Sequence, residues 1–295
     1  MKRAALVLLL LLVPALLVTG CIGRTQSPSG PAPSNGDIGE DPTPDDATNS
    51  DAPADGQERE VVIYLMGDDE KLHPYRGQVE GAGVASGALQ ALVAGPTAED
   101  KAAGASSSVP VGTRVLGVSL DGGVATVNLS SEFAAGGGSL SIMSRVAQVV
   151  FTATQFSTIE SVLFEIDGKP LDSLGGEGLI LEGPQTRAKW EEFAPLILVE
   201  EPVRGDTATM GEPLLITGSA NVFEAAFKVE VTDGDGLIIV SAPVMATSGS
   251  GTRGTFQASV TPKGGKNGFG AIVVSYDSAK DGTRVVVDEI PIEFK

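Results

Sequence analysis

Short segments of alternating apolar and polar residues recur from residue 196 onward, separated by clusters of Gly, Asp, Asn and Pro. The alternation is clearest where Phe227, Val229 and Val231 interleave with polar residues. Successive side chains of a strand point to opposite faces, so such a segment buries one face and exposes the other. Seven such segments over about 100 residues predict an immunoglobulin-like β-sandwich for residues 196–295. The seven candidate strands are LILVEEP, PLLITGSA, FKVEVTD, GLIIVSAPVMA, GTFQASVTP, FGAIVVSYD and TRVVVDEIPIEF.

A different pattern precedes the sandwich and predicts a small α+β domain over residues 60–170. EVVIYLM reads as a buried strand, and after a polar loop a helical segment begins near Val84 and stops at GP. TRVLGVSL and VATVNLS flank the turn sequence DGG, which predicts a hairpin. A second helix is expected from about Ser139, followed by the strand IESVLFEIDG. The order β-α-β-β-α-β predicts two helices on one face of a sheet. The connector, residues 171–195, contains Trp190, which we expect to dock on a domain surface and hold the two domains together.

The N-terminal segment, residues 1–20, has the features of a secretory signal peptide. Lys2 and Arg3 precede an apolar stretch that ends in the small residues of VTGC. The stretch is too short to cross a bilayer comfortably, which takes about 20 residues. Cys21 is the only cysteine, so it has no internal disulfide partner. Its position resembles a bacterial lipobox, in which the cysteine receives a diacylglycerol. An ordinary secretory signal and a short transmembrane anchor are the alternatives.

Residues 21–59 are dominated by Ser, Pro, Gly, Asp and Asn and contain almost no large apolar side chain. Such a segment cannot offset its ordering entropy by burial, so it is expected to be a disordered, extended tether. The chain carries a net charge of −18. This charge argues against nucleic acid or an anionic lipid surface as a partner, because both require basic patches. The expected location is the extracytoplasmic face of the cell membrane, with the diacylglycerol on Cys21 as the anchor.

Several motifs resemble known bacterial domains. Residues 60–170 are similar to the GerMN domain of sporulation and spore-germination lipoproteins, through VVIYL, LVAGP, VPVGTRVLGVSLDGGVATVNLSSEF, SRVAQVVFTATQF and SVLFEIDGKPL. Residues 196–294 resemble the immunoglobulin-like domain often fused to GerMN, through ILVEEPVRGD, PLLITGSANVFEA, SAKDGT and IPIEF. The resemblance implies a fold like the ring-building motif of secretion systems, which forms rings or scaffolds in some relatives. It implies no catalytic activity and no cofactor. The founding sporulation protein carries tandem GerMN domains, whereas this chain carries one, which puts a ring-forming role in doubt.

Residues that could support chemistry are few. His73, the only histidine, is predicted to be a solvated loop residue, which disfavours a catalytic triad or a zinc site. Asp233 and Asp235 are spaced closely, but the chain turns apolar at once, so a β-turn is expected rather than a calcium loop. Asp281 followed by glycine also predicts a turn.

Two pairs of neighbouring acids, Glu191–Glu192 and Glu200–Glu201, could suggest glycoside hydrolysis. That chemistry needs two carboxyl groups held across a cleft at a fixed separation, which sequence neighbours do not establish. No catalytic, metal-binding or cofactor-binding residue is therefore assigned, and no small-molecule substrate is indicated.

Three functions remain in order of preference. The first is a non-catalytic envelope lipoprotein that acts as a protein-interaction or scaffolding module, with envelope protein partners or self-association. The second is a lipoprotein that binds cell-wall carbohydrate or peptidoglycan, which requires aromatic residues such as Tyr75, Trp190 and Tyr276 to meet on one surface. The third is an enzyme, which requires titratable groups with perturbed pKa values to converge in a pocket.

Overall fold

The computed structural model describes residues 58–80, 83–175 and 178–295. The predicted signal peptide, Cys21 and residues 22–57 of the predicted tether lie outside these ranges. No helix in the described ranges is long and apolar enough to cross a membrane. The first part of the fold contains β1 (Glu58–Met66), β2 (Leu72–Glu80), α1 (Val84–Ala94), α2 (Ala98–Ala102), β3 (Val115–Asp121), β4 (Val124–Leu129), α3 (Ser139–Ala153) and β5 (Ser161–Ile166). We call it the α+β module.

β1 and β2 form an antiparallel hairpin in which Met66 pairs with Leu72. The sequence predicts a polar loop after β1, and this prediction is wrong, because residues 72–80 are a strand. Leu72, Tyr75 and Val79 of this strand are buried. The sequence LHPYRGQVE has no simple apolar alternation, and polar His73 on this strand is also buried.

The two predicted helices are present where expected. α1 ends at Ala94 and is followed by Gly95, whose positive φ of 83° glycine adopts readily, and by Pro96. α3 begins at Ser139, and the predicted apolar face of this helix is buried. Both helices contact β1 and each other, so β1 lies at the centre of the α+β module.

The strands of the α+β module form two sheets, where the sequence predicts one. The β1–β2 hairpin is one sheet, and the second has the order β3-β4-β5-β6, with β6 at Lys169–Pro170. β3 and β4 form the predicted hairpin, whereas β4 and β5 are parallel and are joined through α3. A parallel pair requires such a crossover connection. One apolar core nevertheless spans both sheets, and it includes Ile63 of the first sheet and Phe164 of the second.

The described part of the connector, residues 171–175 and 178–195, lies against the α+β module. It contains a two-stranded hairpin, β7 (Ser173–Leu174) and β8 (Leu179–Ile180), and a 3₁₀ segment at Arg187–Phe193. Trp190 is only 5% exposed and belongs to the same core as α3. The prediction that this tryptophan docks on a domain is confirmed.

All seven predicted strands of the sandwich are present. They are β9 (Ile197–Glu201), β11 (Leu214–Ala220), β12 (Ala226–Asp233), β13 (Ile238–Met245), β14 (Gly254–Val260), β15 (Gly268–Asp277) and β16 (Arg284–Phe294). A further two-residue strand, β10 (Thr207–Ala208), pairs in parallel with β16. The sheets have the orders β10-β16-β15-β12-β13 and β14-β11-β9. The fold is therefore an α+β module followed by an all-β sandwich, as the sequence predicts.

β9 supplies apolar residues to both parts of the fold. Ile197 and Val199 are buried in the core of the sandwich, whereas Leu198 is buried in the core of the α+β module. This alternation is the two-residue period of a strand. Between Val199 and Glu201 the register with β11 shifts, which leaves Glu200 as the extra residue of a β-bulge. Because a bulge redirects side chains, Glu200 is available for contacts outside the sheet.

We predict that Gly218→Ala destabilises the protein. A Cβ atom at Gly218 of β11 would collide with the backbone carbonyl oxygen of Leu198 on β9. Relief of this overlap would have to move β9, which carries buried residues of both cores. The expected loss in the free energy of unfolding is about 1–3 kcal/mol, measured by urea denaturation.

Gly117→Ala is the matched control, because Gly117 is also a strand residue, on β3, and a Cβ atom there meets no atom within 4 Å. Its effect should stay within about 0.5 kcal/mol. Equal effects of the two substitutions would contradict the close approach of β9 and β11.

Candidate functional site at the junction of the two modules

A buried histidine joins the α+β module to the sandwich. His73 of β2 is 4% exposed, and both of its ring nitrogens face carboxylates. Nδ1 lies 3.0 Å from Oδ2 of Asp288 on β16, and Nε2 lies 3.1 Å from Oδ1 of Asp69 in the β1–β2 turn. Arg204 donates to the second oxygen of Asp288 and, at 2.7 Å, to the carbonyl oxygen of Glu289. We call His73, Asp69, Asp288 and Arg204 the histidine latch.

The charges of the latch reinforce one another. Burial alone would lower the pKa of His73, but its hydrogen bonds to Asp288 and Asp69 outweigh burial and raise this pKa to about 9. Burial would raise the pKa of Asp288, but His73 and Arg204 hold it below its usual value. At neutral pH the latch is thus an imidazolium between two carboxylates, with both N–H groups donating.

A second contact links β1, the connector and β9. The Tyr64 hydroxyl donates to Oε1 of Glu200 at 2.6 Å, and Nη1 of Arg187 donates to the same oxygen at 2.6 Å. The Arg187 guanidinium also lies over the rings of Phe151 and Tyr64, 4.9 and 5.2 Å from their centroids. Burial would raise the pKa of Glu200, but Arg187 and the Tyr64 hydroxyl lower it overall, so Glu200 is ionised in place. The bulge in β9 is what presents this carboxylate to the α+β module.

Two further arginines extend the junction. Arg76 of β2 donates to both carboxylate oxygens of Asp206, at 3.0 and 2.7 Å, and at 3.1 Å to Oε2 of Glu201. Arg253 of the sandwich donates from Nε to both oxygens of Glu191 in the connector, at 3.0 and 2.9 Å. At Arg76 the planar guanidinium fork matches the Asp206 carboxylate at two points, whereas Arg253 offers one N–H to both oxygens of Glu191 and its other donors to Ser219 and Pro195.

A cleft of about 680 Å³ lies at the junction, between β1–β2, α2 and the sandwich. Its lining contains more acids than bases. The acids are Glu60, Glu99, Asp100, Asp206 and Glu293, and the bases are Arg76 and Arg204. Both arginines are already paired with carboxylates, so the remaining charge of the lining is negative. Phe269, which is 83% exposed, also lines the cleft. Clefts between domains are frequent binding sites.

The structure overturns the prediction for His73. The residue is not a solvated loop histidine but a buried strand residue with two carboxylate partners. The error has a physical reason, since 215 residues separate His73 from Asp288 along the chain. No local pattern in KLHPYR indicates a partner that the sandwich supplies.

The acidic turns behave as predicted. The Asp233 carboxylate accepts hydrogen bonds from the backbone N–H groups of Asp235 and Leu237, and Asp281 accepts one from Thr283. These are the local bonds of turns. Within the described ranges, no three His, Cys, Asp or Glu side chains are grouped so as to hold a metal ion. Cys21, the predicted lipidation site, lies outside those ranges.

The neighbouring glutamates do not act as pairs. Glu191, Glu200 and Glu201 each bind a different arginine of the junction, and the backbone carbonyl of Glu192 accepts a hydrogen bond from Lys71 at 2.5 Å. Sequence reasoning considered these acids only as hydrolase candidates and missed their structural role. A usable signal exists in the sequence, because Arg187 and Glu191 flank the only tryptophan of the chain within the charged segment TRAKWEEF.

The aromatic residues considered for sugar binding do not meet on one surface. Tyr75 and Trp190 are buried in the core of the α+β module, at 4% and 5% exposure. Tyr276 packs against the core of the sandwich. A sugar-binding platform built from these three side chains is therefore not formed.

We predict that the pKa of the single histidine is about 9, which NMR titration of its ring protons measures directly. The folded pKa lies above the unfolded value of about 6.5, so the stabilisation is complete below pH 6.5 and is lost as pH rises through 9. The free energy of unfolding should therefore fall from pH 6.5 to 9.5. Asp288, with its lowered pKa, contributes stability above its usual pKa that is lost as the pH falls.

Asp288→Asn is the control for this titration. It removes one carboxylate partner with little change in shape, so the midpoint of His73 should move down toward 6.5. A midpoint near 6.5 in the unsubstituted protein would show that the latch does not form.

Two family models match this chain, one in each module. A family model named Germane, described as sporulation and spore germination, matches residues 57–172. A second model, Gmad2, described as an immunoglobulin-like domain of bacterial spore germination, matches residues 196–283. No match was found among curated protein sequences.

Solved structures show weaker similarity. The first GerMN domain of the sporulation protein GerM from Bacillus subtilis is 25% identical, with a TM-score of 0.36, over 44% of this chain and 98% of that chain. The tandem GerMN domains of the same protein are 18% identical, with a TM-score of 0.37, over 63% of this chain and 60% of that chain. Fibronectin(III)-like modules of CbhA from Clostridium thermocellum are 19% identical, with a TM-score of 0.24, over 34% of this chain and 94% of that chain.

The assignment therefore rests on the two family models and on the order of their matches along the chain. The α+β module coincides with the first match, and the sandwich contains the second. The chain carries a sporulation and spore germination domain at residues 57–172, followed by an immunoglobulin-like domain of bacterial spore germination at residues 196–283.

Proposed function

We propose that this chain is a lipid-anchored, extracytoplasmic scaffold that binds envelope proteins in a sporulation- or germination-type process and catalyses no reaction. The observation that carries the proposal is the junction. The histidine latch, the Tyr64–Arg187–Glu200 contact and the shared strand β9 fasten the two modules in one orientation. A fixed orientation is of use to a protein that presents two binding surfaces at a set spacing.

Charged contacts of this kind favour orientation more than overall stability. The charges of His73, Asp288 and Arg187 are largely removed from water, and this desolvation offsets much of their mutual attraction. Their geometry is nevertheless restrictive, since each donor has a specific acceptor. The junction therefore fits a role in which the relative placement of the modules matters.

The process is inferred from the descriptions of both families, which concern spore germination. Partners recognised by both modules would gain from their fixed spacing, because the second contact forms at a high effective concentration. The acidic lining of the junction cleft adds a surface that favours partners with basic groups.

The anchor is inferred from sequence. Lys2 and Arg3, the apolar stretch and the small residues before Cys21 support cleavage at that point and lipidation of the cysteine. Two acyl chains are enough for stable membrane association, whereas one is marginal. Lipidation would confine both modules to a thin layer above the membrane, where weak contacts are favoured.

We predict that Cys21→Ala moves the protein from the membrane to the soluble fraction and abolishes incorporation of labelled fatty acid. The scaffolding function should be lost, while both modules stay folded. Ser27→Ala, a small substitution six residues downstream, is the control and should retain label and membrane association. Cross-linking in native membranes followed by purification should then recover specific envelope proteins with the anchored form.

Two results would contradict the proposal. If the soluble Cys21→Ala form kept its full scaffolding function, the lipid would serve only to deliver the protein to the membrane. Recovery of no specific partner by cross-linking from the native membrane would count against scaffolding.

A further inference from the structure

The junction cleft, which lies between the β1–β2 hairpin, α2 and the sandwich, contains acids that the fold itself does not neutralise. Its two bases, Arg76 and Arg204, are both held in ion pairs with carboxylates of the junction. Glu99 of α2 and Glu293 of β16 are exposed, and their carboxylates bind no other side chain within the described ranges. The Asp100 carboxylate accepts hydrogen bonds from Thr97 through Oδ2 alone, which leaves Oδ1 available.

The sandwich wall of the cleft places an aromatic ring beside one of these acids. Phe269 of β15 pairs with Glu293 of β16 in the antiparallel register, so their side chains are neighbours on one face of the sheet. Phe269 is 83% exposed although its side chain is large and apolar. A basic side chain can lay its aliphatic stem or its cation against such a ring. This wall therefore suits an arginine or a lysine.

The opposite wall contains a hydroxyl that lacks a partner. Tyr75 of β2 lines the cleft and is 4% exposed, and its hydroxyl forms no hydrogen bond with any residue that the structure describes. A tyrosine hydroxyl in so buried a side chain usually has a hydrogen-bond partner. Because its oxygen carries lone pairs, an N–H group of a bound molecule could donate to it.

The charges around this hydroxyl favour a cation. Burial raises the pKa of Tyr75, and Arg204 acts against this effect. Asp100, Asp288 and Asp68 lie close enough to raise the same pKa further. Three acids and one base thus surround a hydroxyl that keeps its proton at neutral pH. A positively charged donor fits this position better than an anion.

The arrangement suits a guanidinium group better than a metal ion. In the described part of the chain, no three His, Cys, Asp or Glu side chains are grouped so as to hold a metal. Glu99 and Glu293 instead come from α2 and β16, on separate walls of the cleft. A guanidinium has five donors in a planar fork and stacks on aromatic rings, so it can engage a carboxylate, a hydroxyl and a ring at once.

The chain itself is a poor source of the occupant. Between residues 22 and 57 the only basic residue is Arg24, and the many acids of that segment oppose its docking in an acidic cleft. A second copy of the chain carries the same net charge of −18 and is repelled. Charge complementarity therefore favours a basic segment of a different protein.

We propose that the junction cleft docks a basic segment of a partner protein and receives one of its arginine side chains. The arginine stacks on Phe269, pairs with Glu293 or with the acids of α2, and donates to the Tyr75 hydroxyl. Because the lining comes from both modules, the segment binds only when they hold their observed orientation. The proposal rests on the proposed scaffolding function and states the chemistry of one partner.

Calorimetric titration of the full chain with two matched peptides tests the proposal. The probe is the N-acetylated amide of Ala-Arg-Ala-Arg-Ala, and its control carries citrulline, an uncharged isostere, in place of both arginines. At about 0.15 M salt, exposed charges more than about 8 Å apart are screened, so general attraction to the acidic chain contributes little. The arginine peptide should bind saturably, and the citrulline peptide should bind about tenfold more weakly.

Phe269→Ser and Glu293→Gln should each weaken binding of the arginine peptide about fivefold, because they remove the ring and the carboxylate beside it. Phe223→Ser and Asp277→Asn are the matched controls, since both residues are exposed on the sandwich and lie outside the cleft. Asp277 is at the opposite end of β15 from Phe269. Both controls should bind like the unsubstituted protein, and thermal denaturation verifies that all four variants fold.

Tyr75→Phe separates binding from folding. Its hydroxyl has no partner in the described part of the fold, so its removal should leave the free energy of unfolding undiminished. The arginine peptide should nevertheless bind about fivefold more weakly, because its N–H loses an acceptor. Lower stability with unchanged affinity would contradict the assigned role of Tyr75.

Three results would overturn the inference: no saturable heat at millimolar peptide, equal affinity for the arginine and citrulline peptides, or equal affinity of the cleft variants and their controls. Spermidine that binds as tightly as the peptide would also overturn it, because the occupant would then be a small polyamine. If the peptides fail to bind but cross-linking in membranes still recovers the same envelope proteins with Phe269→Ser, only the cleft assignment fails and the scaffolding function stands.

Discussion

The arrangement of the whole structure depends on β9, a single strand that is buried on both faces. Leu198 packs into the core of the α+β module, and Ile197 and Val199 pack into the core of the sandwich. A strand between two cores cannot leave either without exposing apolar side chains, so it couples the modules more firmly than a connector would. The bulge at Glu200 adds a charged contact to the same strand. The orientation of the modules is thus fixed by burial and then refined by hydrogen bonds.

The ionic contacts of the junction make that orientation sensitive to rising pH at one position, His73. His73 is charged at neutral pH because Asp288 and Asp69 outweigh the effect of its burial. The arginine contacts differ, because guanidinium groups keep their charge throughout the physiological range. Loss of the imidazolium charge would therefore weaken one contact of the junction while Arg187 and Arg76 retain theirs. The junction as a whole should loosen gradually rather than separate at a single pH.

The sequence predicts those elements whose signal is local. The sandwich strands follow from two-residue alternation, and α3 follows from a 3.6-residue period with buried Val146 and Val149. β2 was not predictable in this way, because His73 becomes buried only when Asp288, 215 residues away, covers it. The two sheets of the α+β module were missed for a related reason, since strand order depends on tertiary pairing. The junction could be anticipated only through Trp190, whose neighbours in the connector include the charged residues Arg187 and Glu191.

Scaffolding by a fused pair of modules requires that they keep one orientation in solution. Spin labels at Val111 and Leu237, which are 100% and 60% exposed on the α+β module and the sandwich, report on this directly when Cys21 is replaced. Pulsed electron paramagnetic resonance then gives the distribution of distances between the labels. The structure predicts one narrow distribution at neutral pH. A broad distribution, characteristic of modules that move independently, would contradict the account.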